Sequence, residues 1–170
     1  MANLILYYSR KGENYVNGSI TSISKGNTER VAEFIQNAVG GDLFEVETVK
    51  PYSASYMTCI NEAKAEQKAN ARPEVKSLPK SLDGYDTIFI GYPNWWNTMP
   101  MCMFTVLDAF DWTGKKIVPF CTNEGSGLGN SERDIRKACP GAKVLPGLSI
   151  HGGSVAQSEE QVSAWAKKSI

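Results

Sequence analysis

Three short stretches of this 170-residue chain carry residue types suited to holding a small, partly charged organic ligand. The first follows an apolar run, Asn3 to Tyr8, where Ser9-Arg10 is succeeded, after an intervening segment, by Gly26-Asn27-Thr28 opening a helix. Ser9 offers a hydroxyl and Arg10 a backbone N–H. Gly26 lets backbone approach closely, and Asn27 and Thr28 add donors at a positive helix end. Such a junction holds a phosphate without a metal.

The second stretch, Tyr92 to Pro100, places the adjacent indoles of Trp95 and Trp96 on a connector among Pro93, Asn94 and Asn97. They either anchor the loop or stack on an aromatic ligand, a gain of about 0.5–1.5 kcal/mol per favourable ring pair beyond area burial. The third runs through Thr122, Asn123, Glu124, Gly125, Ser126 and Gly127 to Gly129, with glycines at alternate positions. It reads either as a flexible link or as a set of backbone N–H groups, Glu124 to Gly127, aimed at the edge of a planar ligand. His151, the single histidine, follows the fifth strand. It is either a turn residue before Gly152-Gly153 or a proton donor near the site.

The elements that must position these loops are legible as alternating strands and helices. Leu4 to Tyr7 is a continuous apolar run of the kind covered on both faces in a parallel sheet. From Asn27, Val31, Phe34, Ile35, Ala38 and Val39 recur at helical spacing up to Gly40-Gly41. A strand at Leu43 to Val49 and a helix at Tyr56 to Asn70 follow, with Ser53 or Ser55 near the helix start and Pro73 beyond its end. Further strands are expected at Thr87–Gly91, Lys116–Cys121 and Val144–Ile150. Helices are expected at Pro100–Phe110, Ser131–Cys139 and Glu159–Lys168. Five such alternations predict an α/β, three-layer, doubly wound sandwich in one domain spanning 1–170. All three loops then lie at the carboxyl edge of the sheet, where ligands bind.

Composition narrows the function classes. Eighteen basic residues balance eighteen acidic ones, so the chain lacks the excess positive charge that a nucleic-acid backbone requires. No apolar stretch approaches the ~20 residues of a membrane span. The N-terminus enters its first strand without a basic leader or cleavage site, so a cytoplasmic location is the expectation, and the Asn17-Gly18-Ser19 acceptor pattern is discounted with it. Cys59, Cys102, Cys121 and Cys139 are too far apart for a CxxC or zinc motif and are expected as reduced, buried thiols.

A phosphate cradle, an aromatic platform and in-plane amides on one sheet edge fit a phosphorylated planar heterocycle. Here the chain resembles the flavodoxin-like family, whose SxTGNT phosphate loop is matched by Ser9-Arg10 and Gly26-Asn27-Thr28, followed by Glu29-Arg30-Val31-Ala32. Gly91-Tyr92-Pro93-Asn94-Trp95-Trp96 stands in the position of that family's flavin-stacking loop, and Thr122 to Gly127 in that of its ring-edge loop. The resemblance implies a five-stranded parallel sheet of order 2-1-3-4-5 and FMN as cofactor. It puts phosphate at Ser9, Arg10, Asn27 and Thr28, with Lys25 and Gly26 beside it, and the isoalloxazine ring at Trp95 or Trp96. It also implies redox chemistry on the flavin, with no protein nucleophile.

Lys11 to about Lys25 interrupts the otherwise contiguous phosphate motif. Asn17-Gly18 is a strong hairpin turn, so Tyr15-Val16 could pair with Ser19-Ile20 in a small ribbon. The alternative is a disordered excursion. Asn14 and Tyr15 are expected to approach the cofactor, because both ends of the segment are tied to the phosphate site. Electron-carrier flavodoxins are strongly acidic, whereas this chain is charge-balanced. Two functions therefore stay open: an oxidoreductase reducing a quinone-like acceptor with NAD(P)H as reductant, and a carrier passing electrons to a redox partner protein, as monomer or homodimer. GxxxxGK[ST] and the dinucleotide GxGxxG are both missing, which sets aside a phosphoryl-handling domain and a tightly held nicotinamide.

Overall fold

In the computed structural model, which describes residues 2–170, the first strand is β1 (Ala2–Tyr7). Its alternate residues point to opposite faces: Leu4 and Leu6 enter one apolar cluster, Ile5 and Tyr7 the other. The same alternation divides Ile88 and Ile90 from Phe89 on β5 (Tyr85–Pro93). Both faces of the sheet are therefore covered, which is why these strands read as unbroken apolar runs.

A hairpin, β2 (Gly12–Val16) and β3 (Ser19–Ile23), separates β1 from α1 (Asn27–Val39). Val16 pairs with Ser19 and Tyr15 with Ile20. Asn17 and Gly18 both take positive φ, 50° and 87°, the turn whose twist matches the flanking strands. Of the two readings of the 11–25 segment, the ribbon is the one found.

The chain continues through β4 (Asp42–Glu45), α2 (Tyr56–Lys68), β5, α3 (Met101–Asp108), β6 (Lys116–Asn123) and α4 (Ser131–Ala138). It ends with β7 (Lys143–Val144), β8 (Leu148–His151), a 3-10 turn at Gly152–Gln157 and α5 (Glu159–Ser169). The parallel sheet runs β4-β1-β5-β6, with β7 and then β8 along the outer edge of β6. Counting β7 and β8 as one interrupted strand, this is the expected 2-1-3-4-5 order.

The interruption departs from the continuous Val144–Ile150 strand read from sequence. Between the two paired segments, Val118-Pro119 on β6 faces Leu145-Pro146-Gly147. Neither proline donates to a ladder, so pairing stops and an extra residue bulges out. Glu132 of α4 accepts the freed Gly147 N–H at 2.8 Å. β4 is also shorter than the predicted Leu43–Val49: it ends at Glu45, and Thr48 pairs instead with Val75.

Helices α1 and α5 cover the face carrying Ile5, Phe89, Val118 and Phe120, through Val31, Ile35, Val162 and Ala166. On the other face Cys102, Met103, Val106 and Leu107 of α3, Ile135 of α4 and Trp112 complete the core. No helix among the described residues is long and apolar enough to cross a membrane.

Candidate functional site

At the carboxyl edge of β1, Ser9 stands beneath the start of α1, and its Oγ accepts the Glu29 N–H at 3.0 Å. This is a helix cap supplied from outside the helix, and it leaves the Ser9 hydroxyl hydrogen free to donate. Gly26 is required by space rather than by backbone conformation: a Cβ there would lie 2.0 Å from Ser9 Oγ and 2.8 Å from the Arg10 carbonyl oxygen. The amides of Asn27 and Thr28 come one turn too early for an intrahelical acceptor, and both residues line the cavity beside them. Thr28 is buried, and its hydroxyl meets that of Thr122 at 2.8 Å, joining the first and third loops.

Arg10, expected to offer its backbone N–H, also puts its side chain to use. Its guanidinium donates from Nε to the Glu13 carbonyl (2.9 Å) and from Nη2 to the carbonyls of Ser53 (2.9 Å) and Ala54 (3.3 Å). One side chain thus ties the hairpin to the segment before α2. A second tie runs back, since Glu13 Oε1 accepts the Tyr56 N–H at 2.9 Å. Asn14 donates from Nδ2 to the Arg10 carbonyl at 2.9 Å, and Tyr15 stacks on Tyr56 with ring centroids 6.2 Å apart and planes at 22°.

The second loop is held rigid by contacts that offset backbone strain. Trp96 and Asn97 take φ of 55° and 72°, a region that costs a side-chain-bearing residue of order 1–3 kcal/mol, least for Asn. Asn94 spans the turn, donating from Nδ2 to the Gly127 carbonyl (2.8 Å) and accepting the Asn97 N–H at Oδ1 (2.9 Å). The Asn97 carbonyl accepts from the Asn130 N–H at 2.6 Å, and that of Trp96 from Gln67 Nε2 at 2.9 Å.

The two indoles are held by different contacts. Trp95 meets Tyr8 and Tyr52 edge-on, at 5.3 and 5.0 Å between ring centroids. Trp96 is 40% exposed, donates from Nε1 to the Ile60 carbonyl (2.9 Å) and lies 4.4 Å beneath the Lys64 ammonium. Both are anchored by these contacts and both line the cavity.

In the third loop, Asn123 Oδ1 accepts the N–H groups of Gly125 (3.0 Å) and Gly127 (3.1 Å). This corrects the expectation that all the amides from Glu124 to Gly127 face a ligand: those two are bound inside the loop. Glu124 is mostly buried. Its Oε2 lies 3.0 Å from His151 Nε2 and accepts the Asn17 N–H at 3.4 Å, so the third loop also fastens the hairpin tip.

These parts enclose a cavity of about 280 Å³. Of the residues expected at the site, Arg10, Asn14, Tyr15, Asn27, Thr28, Pro93, Asn94, Trp95, Trp96, Thr122, Asn123, Glu124 and Ser126 line it. Ser9, Gly26, Asn97, Gly125 and Gly127 belong to the same loops but are not on its lining. Lys25 is not on the lining either, and its ammonium pairs with Glu33 at 2.8 Å. His151 is placed at the rim through Glu124 rather than on the cavity surface.

Sequence reasoning passed over Tyr56, Cys59, Ile60 and Ala63, which line the cavity from α2, and Gly152. Their spacing of three, four and seven residues marks one helix face, a signal that does not distinguish a face against a ligand from a face against protein. Cys59 is an inert wall: burial raises its thiol pKa, more than Arg10 lowers it. Burial likewise raises the Tyr56 phenol. Cys121, beneath the third loop, is pushed up to about 12 by burial.

Comparison with known proteins places this architecture. A structure of a candidate flavoprotein from Bacteroides eggerthii is 28% identical and superposes over 99% of this chain and 97% of that one, with a TM-score of 0.78. A flavoprotein from Lactobacillus acidophilus, solved in complex with FMN, shares the fold at 21% identity, covering 94% of this chain and 98% of that one with a TM-score of 0.65. Flavodoxin 1 of Salmonella typhimurium is 25% identical over 109 residues, 62% of this chain and 48% of that protein, so the match spans about half of the relative's length. The sequence pattern of the flavodoxin family matches residues 19–169, from the hairpin turn almost to the C-terminus, and the chain belongs to that family.

Proposed function

We propose that the cavity holds FMN and that the chain is an FMN-dependent redox protein. The observation that carries this reading is the convergence, on one cavity, of the free first-turn amides of α1, the Thr28–Thr122 hydroxyl pair and the rigid Trp95-Trp96 loop. The residues fit the group. The amides of Asn27 and Thr28 with the Ser9 hydroxyl suit a phosphate, Trp95, Trp96 and Tyr56 supply flat apolar surface for a fused ring, and Thr122, Asn123 and Ser126 offer hydroxyl and amide groups between them. The complex of the Lactobacillus acidophilus relative with FMN supports the same choice of ligand.

FMN, when bound, supplies the hydride and single-electron chemistry. The chain's residues bind it, keep water from one face of the ring and set its surroundings, and no protein nucleophile is needed. The acceptor is a quinone-like small molecule or a redox partner protein, both of which reach the site past Tyr15 and Trp96, each more than a third exposed at its mouth.

Titrating the protein with FMN tests the reading. The flavin absorption band should shift and its emission fall, since tryptophan against the ring competes with fluorescence. Unchanged spectra at micromolar protein would overturn it. Mixing the complex with NADPH then separates the two acceptors: bleaching within seconds, followed by reoxidation with a quinone, supports the enzyme, while slow bleaching with fast reduction by a reductase protein supports the carrier.

A further inference from the structure

Of the two indoles in the cavity wall, Trp95 is the easier to oxidise. The Lys64 ammonium lies 4.4 Å from the centroid of the Trp96 ring, and a positive charge there opposes removal of an electron from that ring. Among the described residues no cation lies over Trp95. Its ring is met edge-on by two tyrosines instead, Tyr52 at 5.0 Å and Tyr8 at 5.3 Å between centroids, both within contact range.

The two tyrosines differ at the phenol. A neutral phenol that loses an electron becomes a strong acid, so its oxidation is favourable only where a base takes the proton in the same step. Tyr52 has that base, since its hydroxyl donates to Glu66 Oε1 at 2.5 Å. No carboxylate meets the hydroxyl of the buried Tyr8 among the described residues. Burial and the hydrogen bond to Glu66 push the Tyr52 phenol well above its ordinary range, so the proton stays in place until the ring is oxidised. A second phenol and carboxylate pair, Tyr85 on Asp42 at 2.5 Å, lies at the opposite edge of the sheet, where Tyr85 stands beside Ala2 at the start of β1. Only Tyr52 combines a base with contact to an indole of the cavity wall.

We propose that Trp95, Tyr52 and Glu66 form a proton-coupled electron-donor relay, which supplies one electron to a photoexcited flavin in the cavity and leaves the oxidised side chain at Tyr52. The relay rests on the FMN reading for its oxidant. One electron leaves the Trp95 indole for the photoexcited, oxidised flavin, and one electron from Tyr52 refills the indole. The phenolic O–H bond breaks and its proton passes to the Glu66 carboxylate. In balance, the flavin gains one electron, Tyr52 loses one electron and one proton, and Glu66 gains the proton. Return of the electron then requires the proton to come back with it, so the separated charge outlives one held on Trp95 alone.

A laser flash on the FMN-loaded protein tests the relay, with tryptophan and tyrosine radicals followed by transient absorption. In the wild type the tryptophan signal should decay as a tyrosine signal grows, more slowly in deuterated water. Tyr52→Phe keeps a ring against Trp95 and removes the proton donor, so the tyrosine signal should be lost and the tryptophan signal should decay straight to baseline. Glu66→Gln keeps an acceptor and removes the base. General-base participation is worth about 10²- to 10⁴-fold in rate, so back transfer should win and the tyrosine signal should again vanish. Tyr85→Phe should behave as wild type.

Neither Tyr52 nor Glu66 lines the cavity, so FMN titrations of their variants should match the wild type and separate the relay from the site. A wild type without a tyrosine signal, a signal that persists in Tyr52→Phe, or one unchanged in Glu66→Gln overturns the inference and leaves the FMN reading standing. If the wild type leaves the flavin spectrum unperturbed, the FMN reading falls, and the inference with it.

Discussion

Replacing Gly26 by alanine isolates the contact that brings the first strand and the first helix together. Gly26 has φ −65° and ψ 150°, angles open to any residue, so the substitution adds no backbone strain. What it adds is a methyl group 2.0 Å from Ser9 Oγ and 2.8 Å from the Arg10 carbonyl oxygen. The Ser9 hydroxyl can rotate away, but only by giving up the Glu29 N–H, a cap worth about 1 kcal/mol. The Arg10 carbonyl is backbone and cannot rotate, so the strand end or the helix start must shift, and overpacking of this kind costs about 1–3 kcal/mol. The expected total is about 2–4 kcal/mol in urea unfolding, or roughly 4–16 °C in melting temperature for a domain of this length. Ser9→Ala alone should cost about 1 kcal/mol, and the double variant should cost less than the two singles together, because part of the clash and all of the cap have already gone. FMN affinity should fall with Gly26→Ala as the amides of Asn27 and Thr28 move. Unchanged stability in Gly26→Ala, or strict additivity with Ser9→Ala, would refute the packing argument.

Other outcomes follow from the same geometry. Arg10→Lys keeps the charge, but a single ammonium cannot serve the Glu13 carbonyl and those of Ser53 and Ala54 together. A loss of about 1–2 kcal/mol is expected, with faster amide exchange in the hairpin, and a wild-type exchange pattern would count against the tie. All four thiols are buried, and burial raises Cys59 and Cys102 and lifts Cys121 and Cys139 to about 12. A thiol reagent should therefore label none of them in the native protein and all four after denaturation, and a thiol titrating rapidly under native conditions would contradict it. Burial also raises the Glu66 carboxyl above its ordinary 4.5, against the pull of the Tyr52 hydroxyl. Between 4.5 and that raised value the folded chain binds more protons than the unfolded one, so stability falls as pH rises through this window. Glu66→Gln lacks the loss, and its stability relative to wild type should improve from below pH 4.5 to neutrality; a constant difference would show that Glu66 does not titrate differently on folding.

Much of this arrangement is legible in the sequence because strand periodicity and turn chemistry are local. The apolar runs at Leu4 to Tyr7 and Thr87 to Gly91 announce a sheet covered on both faces, and Asn17-Gly18 announces its own turn. What escapes is set by partners distant in the chain. Nothing in residues 56–63 tells whether their apolar face meets a core or a cavity. Lys25 sits within a phosphate motif, but Glu33, eight residues along, takes its charge. The glycine-rich loop looks like a row of open amides until Asn123 is seen to bind two of them. The strand expected at Val144 to Ile150 breaks where Pro119 and Pro146 both fall between the paired segments, and each proline taken alone reads as tolerable.

The hairpin shows how the site depends on parts that are themselves weak. None of the side chains from Gly12 to Ile23 is buried, and a two-stranded ribbon with so little apolar cover is marginal by itself. Its order comes from contacts that include the Arg10 guanidinium, Glu13 on the Tyr56 N–H, Asn14 on the Arg10 carbonyl, the Tyr15–Tyr56 stack, and Asn17, whose N–H reaches Glu124 and whose side chain lies against Gly153. All but those of Asn17 gather at the base and along one side, toward α2, and Asn17 alone secures the tip, through Glu124 and Gly153. At about 0.5–1.5 kcal/mol for a typical hydrogen bond, releasing the tip costs far less than releasing the base or opening the sheet. The tip is therefore the first part to lift, pivoting on Arg10, and it lifts from Glu124.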